Sequence, residues 1–296
     1  MLAVSIKVIR EKFSLKGTES KTINEKGKEK SLPRIAASSY LNTAPLIWSF
    51  QRESMSREVE LLTHEAPARC AEMLARGEVD AALVPVIEYQ RIPEIAVAPH
   101  VCVGSRSKVR SVVLVTKNLE LKDVRKVALD ISSRTSVTLI RTIFREFIGT
   151  EPEWREAEPN LQTMLLEADA ALIIGDPAMT FSRAALRVYD MAALWREYTG
   201  LGFVFAMWMA GEREIERVKG VDFVRARDRG LECVEEIAAL YAERLKLPQD
   251  ELRTYLLENI CFELDEEMLA GLELFYRLAH KHNLIPSLKP LRWIAK

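Results

Sequence analysis

One local plan occurs twice in this chain, and it limits the possible fold more than any other feature. In the first copy a short apolar strand, Arg34-Ile35-Ala36-Ala37, runs into the polar loop Ser38-Ser39-Tyr40. A helix follows over Leu41 to Phe50, with Pro45 in its first turn. In the second copy Lys126 to Asp130 is the strand and Ser132 to Ser136 the loop. Val137 to Phe147 is the helix, with apolar residues at Val137, Ile140, Phe144 and Phe147. Each copy then continues alike. Ala68 to Arg76, stopped at Gly77, and Leu161 to Glu167 are amphipathic helices. Behind them, Asp80 to Pro85 and Asp169 to Pro177 are apolar strands ending in a Pro-bearing turn.

Continuous apolar runs between helices mark strands buried on both faces, as in a parallel sheet covered by helices. Two such units predict a two-lobed α/β clamp with mixed, mainly parallel sheets. A length of 296 residues suits two lobes better than one. Lobe one is expected to take residues 32–112 and 207–296, and lobe two residues 113–206. Val112 to Thr116 and Phe203 to Met209 are the strands expected to carry the chain across and back. From Glu212 onward the pattern is helical, with Leu231 to Leu245, Leu252 to Phe262 and Glu266 to His280 ahead of Pro286. These helices are expected on the first lobe.

Composition removes several function classes. Forty-two Lys and Arg balance 43 Asp and Glu, a formal net charge of -1, so no global field favours nucleic acid or an acidic membrane. Neither partner is expected. No segment reaches the roughly 20 apolar residues of a membrane helix. Lys7, Arg10, Glu11 and Lys12 interrupt the apolar start, short of the roughly 7–15 residues of a secretory core. Lys16 to Lys30 is rich in Lys and Glu. Residues 1–31 are therefore expected to be a disordered extension, and the protein to be cytoplasmic. Cys70, Cys102, Cys233 and Cys261 are scattered, which suits reduced thiols rather than a zinc or redox centre. His64-Glu65 opens like a zinc-protease motif, but Ala68 stands where the second His belongs. His100, His280 and His282 have no partners at ligand spacing. Ser105-Arg106-Ser107-Lys108 matches S-x-x-K without its companion motifs. Glu212 to Arg217 reads as a solvated helix face. Neither the Rossmann nor the P-loop glycine pattern is present, and no metal or cofactor is expected.

The chemistry is expected at two loops, Ser38–Thr43 and Ser132–Ser136. Each follows a strand and opens a helix. A helix start offers unpaired N–H groups and the positive end of the macrodipole, to which hydroxyl side chains add donors. In open α/β sheets ligands lie beyond the carboxyl ends of the strands. Two lobes facing each other would present two anion sites across one cleft, suited to a small dianion. Residues of the same types also serve simply as helix caps.

The same loops carry a resemblance. Ser39-Tyr40-Leu41-Asn42-Thr43-Ala44-Pro45-Leu46 resembles the S-Y-L-N-x-x-P-L signature of the chorismate dehydratases. Leu83 to Tyr89 resembles that family's V-P-S-x-E-Y segment, Asp130 to Ser136 its D-x-S-S-R-T-S loop, and Ala170 to Ala178 its A-L-x-I-G-D-x-A turn. Trp195 to Ala206 is similar to W-x-x-x-T-G-L-P-F-V-F-A, and Leu284-Ile285-Pro286 also fits. The likeness runs from about Pro33 to the end. It implies a type II periplasmic-binding-protein-like fold used for catalysis in the cytoplasm. The implied reaction is dehydration of chorismate to 3-[(1-carboxyvinyl)oxy]benzoate in the futalosine route to menaquinone, with the chain a monomer or homodimer.

Chorismate carries two carboxylates, matching two facing helix starts. Removing the C3 proton and C4 hydroxyl makes the ring aromatic, so positioning and a base suffice. The resemblance implies that the substrate's own enolpyruvyl carboxylate takes the proton. Asn42 is expected to orient that carboxylate and the leaving hydroxyl, since an amide both donates and accepts. Ser39, Tyr40, Thr43, Pro85, Val86, Ser132, Ser133, Arg134, Thr135, Ser136, Gly175 and Asp176 are expected to contact substrate. Asp176 is expected either to serve as acid or base or, more simply, to order the Gly175–Ala178 turn. Val86 stands where the family has Ser, so a hydroxyl donor is expected to be lost there. The alternatives are the sister enzyme that makes 1,4-dihydroxy-6-naphthoate, whose first loop differs, and a non-catalytic carboxylate-binding protein.

Overall fold

The computed structural model describes residues 22–23, 29–52 and 55–295. Residues 1–32 are a unit of their own, in which Thr22–Ile23 and Glu29–Lys30 pair antiparallel. The rest of the extension expected over residues 1–31 lies almost wholly outside the described residues.

From Pro33 onward the chain builds two sheets. The first begins with β1 (Arg34–Ser38), α1 (Ala44–Gln51), β2 (Glu60–His64), α2 (Pro67–Ala75) and β3 (Ala81–Pro85). The strands form a parallel trio in the order β2–β1–β3, with Ile35 between Leu61 and Ala81. β4 (Ile95–Val97) and β5 (Val103–Ser105) follow, and β6 (Val112–Thr116) takes the chain into the second sheet. There β7 (Lys126–Asp130), α3 (Thr135–Ile143), β8 (Glu153–Ala157), α4 (Leu161–Glu167) and β9 (Ala170–Ile174) repeat the trio as β8–β7–β9. β6 lies antiparallel to β9, and β10 (Arg187–Asp190) antiparallel to β6. After α5 (Met191–Thr199), β11 (Phe203–Gly211) returns to the first sheet, antiparallel to β3, β4 and β5.

The repeat read from sequence is thus a repeat of topology. β3 and β9, Ala-Ala-Leu-Val-Pro and Ala-Ala-Leu-Ile-Ile, are buried along their whole length because each lies between two strands. The outer strands β2 and β8 escape sequence reading. Each is an edge strand, and Glu153-Trp154-Arg155-Glu156-Ala157 alternates charge with half-buried positions. The sheets are mixed, but parallel pairing does not dominate as expected. Between the named strands it is confined to the two trios, because β6 runs antiparallel to β9 and β11 antiparallel to β3. All of β11 lies in the first sheet, so the boundary expected after residue 206 falls inside a strand.

The C-terminal segment is helical, with α6 (Phe223–Glu232), α7 (Val234–Leu245), α8 (Gln249–Thr254) and α9 (Glu266–Lys281). The helix expected over Leu231 to Leu245 begins at Val234, since Cys233 leaves the helical conformation. α6 is not evident in sequence. Its arginines hide an apolar stripe of Phe223, Ala226 and Gly230, which packs on α1. Gly230 makes that packing possible, because a Cβ there would run into the backbone of Pro45. α9 touches both β11 and α3. Among its buried residues, Phe275 meets Trp195 and Phe203 edge-on, with centroids 6.2 and 5.0 Å away. Among the described residues, no helix is long and apolar enough to cross a membrane.

Candidate active site

The two loops singled out in the sequence meet. A cavity of about 60 Å³ is lined by Tyr40, Asn42 and Thr43 from the loop after β1, and by Ser132 to Ser136 from the loop after β7. Pro85 and Gly175, from the turns after β3 and β9, also face it. All four turns lie at the carboxyl ends of parallel strands, where the β–loop–helix geometry aims side chains into one cleft. The floor is apolar, made by Leu83, Val103, Val112, Ile174 and Phe205. At roughly 10–15 Å³ per water, the cavity holds a few waters, so a ten-carbon ligand requires the cleft to widen. A groove of about 860 Å³, lined in part by Tyr40, Ser132, Arg134, Asp176 and Arg244, adjoins it through the shared Tyr40, Ser132 and Arg134.

Each loop is held by its own hydrogen bonds. The Thr43 hydroxyl is hydrogen-bonded to the carbonyls of Ser38 (2.6 Å) and Tyr40 (2.8 Å), which fixes the turn carrying Asn42. In the other loop Asp130 is the organiser. Its Oδ1 accepts from Ser132 N (2.8 Å) and Ser132 Oγ (2.5 Å), and its Oδ2 from Ile174 N (3.3 Å). Burial pushes the Asp130 carboxyl up, and these donors oppose the shift. Sequence reading assigned Asp130 only to a motif. An aspartate two residues before a serine-rich loop is the available signal, since Asp accepts readily from N–H groups two residues on.

Several bonds bridge the sheets. Thr135 Oγ1 accepts from Ile87 N at 3.3 Å. Asp176 Oδ1 accepts from Leu41 N at 2.9 Å, between residues 135 apart in sequence. Tyr40 and Ser132 meet across the cavity, and burial pushes the Tyr40 phenol up to about 12. Gly175 packs flat on the Tyr40 ring, leaving no room for a Cβ. Arg134 reaches Glu72 of α2 at 3.6 Å, but both are about two-fifths exposed, so this pair contributes little.

Three expected positions are placed differently. Ser39 and Val86 do not line the cavity. Ser39 turns its carbonyl to Tyr241 (2.9 Å) and Arg244 (3.2 Å) of α7. Val86 is fully buried, with its N–H on Phe205 O (3.0 Å) and its carbonyl taking the Tyr276 hydroxyl (2.7 Å). Val86 N–H continues the β3–β11 ladder past Pro85, so its side chain points away from the Pro85 side into the core and a serine hydroxyl there would not face the cavity. Asp176 lines the adjoining groove and does not cap its own turn, which backbone bonds close instead, with Ala178 N to Gly175 O at 3.0 Å. Burial pushes the Asp176 carboxyl up to about 6, with Arg244 opposing. Tyr241 and Arg244 come from α7, where no sequence motif marks them. Two buried oxygens, Asn42 Oδ1 and Asp176 Oδ2, have no hydrogen-bond partner among the described residues. Among the described residues, no group of three or more His, Cys, Asp or Glu could hold a metal ion.

Chorismate dehydratase of Thermus thermophilus is 32% identical over 256 residues, covering 80% of this chain and 91% of that protein. A crystal structure of an Archaeoglobus fulgidus protein superposes with a TM-score of 0.69 at 17% identity, covering 86% of this chain and 98% of that one. The periplasmic aliphatic sulphonate-binding protein SsuA of Escherichia coli gives 0.60 at 18% identity, with 90% and 94% covered. These likenesses identify the periplasmic-binding-protein fold. A family model described as menaquinone biosynthesis matches residues 33–281, and with it the chain belongs to the menaquinone biosynthesis family.

Proposed function

We propose that this protein is a chorismate dehydratase acting in the cytoplasm on the futalosine route to menaquinone. Chorismate loses the C3 proton and the C4 hydroxyl as water, and the ring becomes the aromatic ring of 3-[(1-carboxyvinyl)oxy]benzoate. The observation that carries this reading is the meeting of the Asn42 and Thr135 loops in one cavity, in a chain of this family. Backbone donors and hydroxyls at the starts of the Leu41–Thr43 turn and of α3 face a diacid from opposite sides. The apolar floor suits the carbocyclic ring. In this reading the two sheets are the cores of two lobes, with one crossing in the segment before β6 and the other at the start of β11. The lobes separate to admit substrate and close over it, which excludes water.

The base is the enolpyruvyl carboxylate of the substrate, which takes the C3 proton and passes it to the C4 hydroxyl as the C–O bond breaks, so that water leaves and the carboxylate is restored. Asn42 holds that carboxylate through its amide N–H, and its buried Oδ1 accepts from the leaving hydroxyl. Incubation of the purified protein with chorismate, followed by ultraviolet absorbance and by mass for the loss of one water, tests the activity. Intact chorismate after long incubation would sink it, and recovery of bound, unaltered chorismate would identify a binding protein instead. Asn42→Ala is expected to lower kcat by about a hundredfold or more without changing the melting temperature by more than about 3 °C. An unchanged kcat would remove Asn42 from the mechanism.

A further inference from the structure

We propose that Asp176 is a positioning residue: it caps, from the second sheet, the helical turn of the first sheet that carries Asn42. This rests on the dehydratase reading for its consequence, but not for its geometry. The turn Leu41–Thr43 leads directly into α1, and a helix start needs acceptors for its first N–H groups. The residue in the capping position is Tyr40, whose side chain makes no cap. No Ser, Thr, Asp or Asn at that position does the work locally. Asp176 does it from the second sheet instead, with Oδ1 on Leu41 N at 2.9 Å.

Three further observations fit this role. Asp176 is the residue before Pro177, at the start of a helical turn, yet it makes no cap there. It is 6% exposed, and burying a carboxylate is costly unless it is bonded. The neighbouring Gly175 lies at φ 68° against the Tyr40 ring, so the two turns are in direct contact and the aspartate cannot shift without moving Tyr40. Leu41 is the residue before Asn42. Fixing its N–H sets the direction of the next side chain, whose Oδ1 is buried and awaits a donor. The bond exists only when the two sheets are together, so the catalytic amide is aligned in the closed cleft and released when the cleft opens.

Two readouts test this, one of them independent of turnover. Amide hydrogen exchange of a peptide spanning Leu41 should speed up about tenfold or more in Asp176→Ala. In the same variant kcat should fall by about ten- to a hundredfold while KM for chorismate changes less than about threefold. Asp176→Asn keeps an acceptor oxygen and should restore kcat to within about fivefold of the wild type. If Asp176→Ala does not fold, Asp176→Leu, of similar size and without an acceptor, replaces it. Unchanged exchange at Leu41 overturns the proposal. So does an Asp176→Asn variant as impaired as Asp176→Ala, which would assign the role to the negative charge. A rise in KM alone would make Asp176 a substrate contact instead. If the wild type leaves chorismate intact, the dehydratase reading fails, and the exchange result alone decides whether Asp176 holds the turn.

Discussion

Replacing Gly175 with alanine tests the contact on which the closed site depends. Two costs arise together. The residue lies at φ 68°, and a left-handed conformation costs an alanine about 1–2 kcal/mol. The new Cβ would also stand 2.6 Å from Cδ2 and 2.7 Å from Cζ of Tyr40, where ordinary contact begins at 3.4 Å. Tyr40 is only 9% exposed, so its ring has little room to retreat. Overpacking of this kind costs about 1–3 kcal/mol. The two together come to about 2–5 kcal/mol, a large share of a typical domain's stability. At about 2–4 °C per kcal/mol for a chain of this size, the melting temperature should fall by about 4–20 °C. If the cleft opens to relieve the clash, the same energy is taken from closure, and kcat/KM falls by about tenfold or more. Gly149→Ala is the control, with φ 75° and nothing within 4 Å of its Cβ, so it carries the backbone cost alone. Thermal melts and steady-state turnover of both variants give the answer. If Gly175→Ala matches Gly149→Ala in both measurements, the turns do not touch as described.

Two other outcomes follow from the same geometry. Val86→Ser, which restores the family's residue, should leave KM for chorismate within about twofold and lower stability by about 1–3 kcal/mol, because the hydroxyl enters the core; a several-fold fall in KM would show that this side chain reaches substrate. The Asp176 carboxyl, facing Tyr40, Tyr241, Tyr255 and Arg244, holds its proton up to about pH 6 when folded, against 3.8 for the free group. The folded state therefore binds more protons than the unfolded chain in that interval, and the stability tied to this group is full below about pH 4 and lost as pH rises through about 6. The melting temperature of Asp176→Asn relative to the wild type should accordingly rise between pH 4 and pH 7, by the equivalent of roughly 3 kcal/mol at most. A flat or falling difference would contradict the burial of that carboxylate.

What was legible in the sequence was whatever local pattern controls. Apolar runs of strand length, cap residues after them and Gly or Pro at the stops specify a strand–loop–helix unit wherever it sits. The two copies therefore announced an α/β chain and its paired loops, Ser38–Thr43 and Ser132–Ser136, most of whose residues line the cavity. Elements with a weaker local signal were lost. The edge strands β2 and β8 expose a face and so carry charge, and α6 hides a narrow stripe among arginines.

Relations between distant segments were decided only by the tertiary structure. That Asp176 serves Leu41 rather than its own turn depends on turns at the carboxyl ends of the two sheets' strands meeting, since neither residue's neighbours encode a partner 135 positions away. That Val86 points into the core depends on β11 arriving beside β3, where its backbone must pair with Phe205. Side-chain period and capping act over a few residues and are written in composition. Which surface a loop meets is set by how the sheets and the helices that cover them pack together, and that packing is a property of the whole fold.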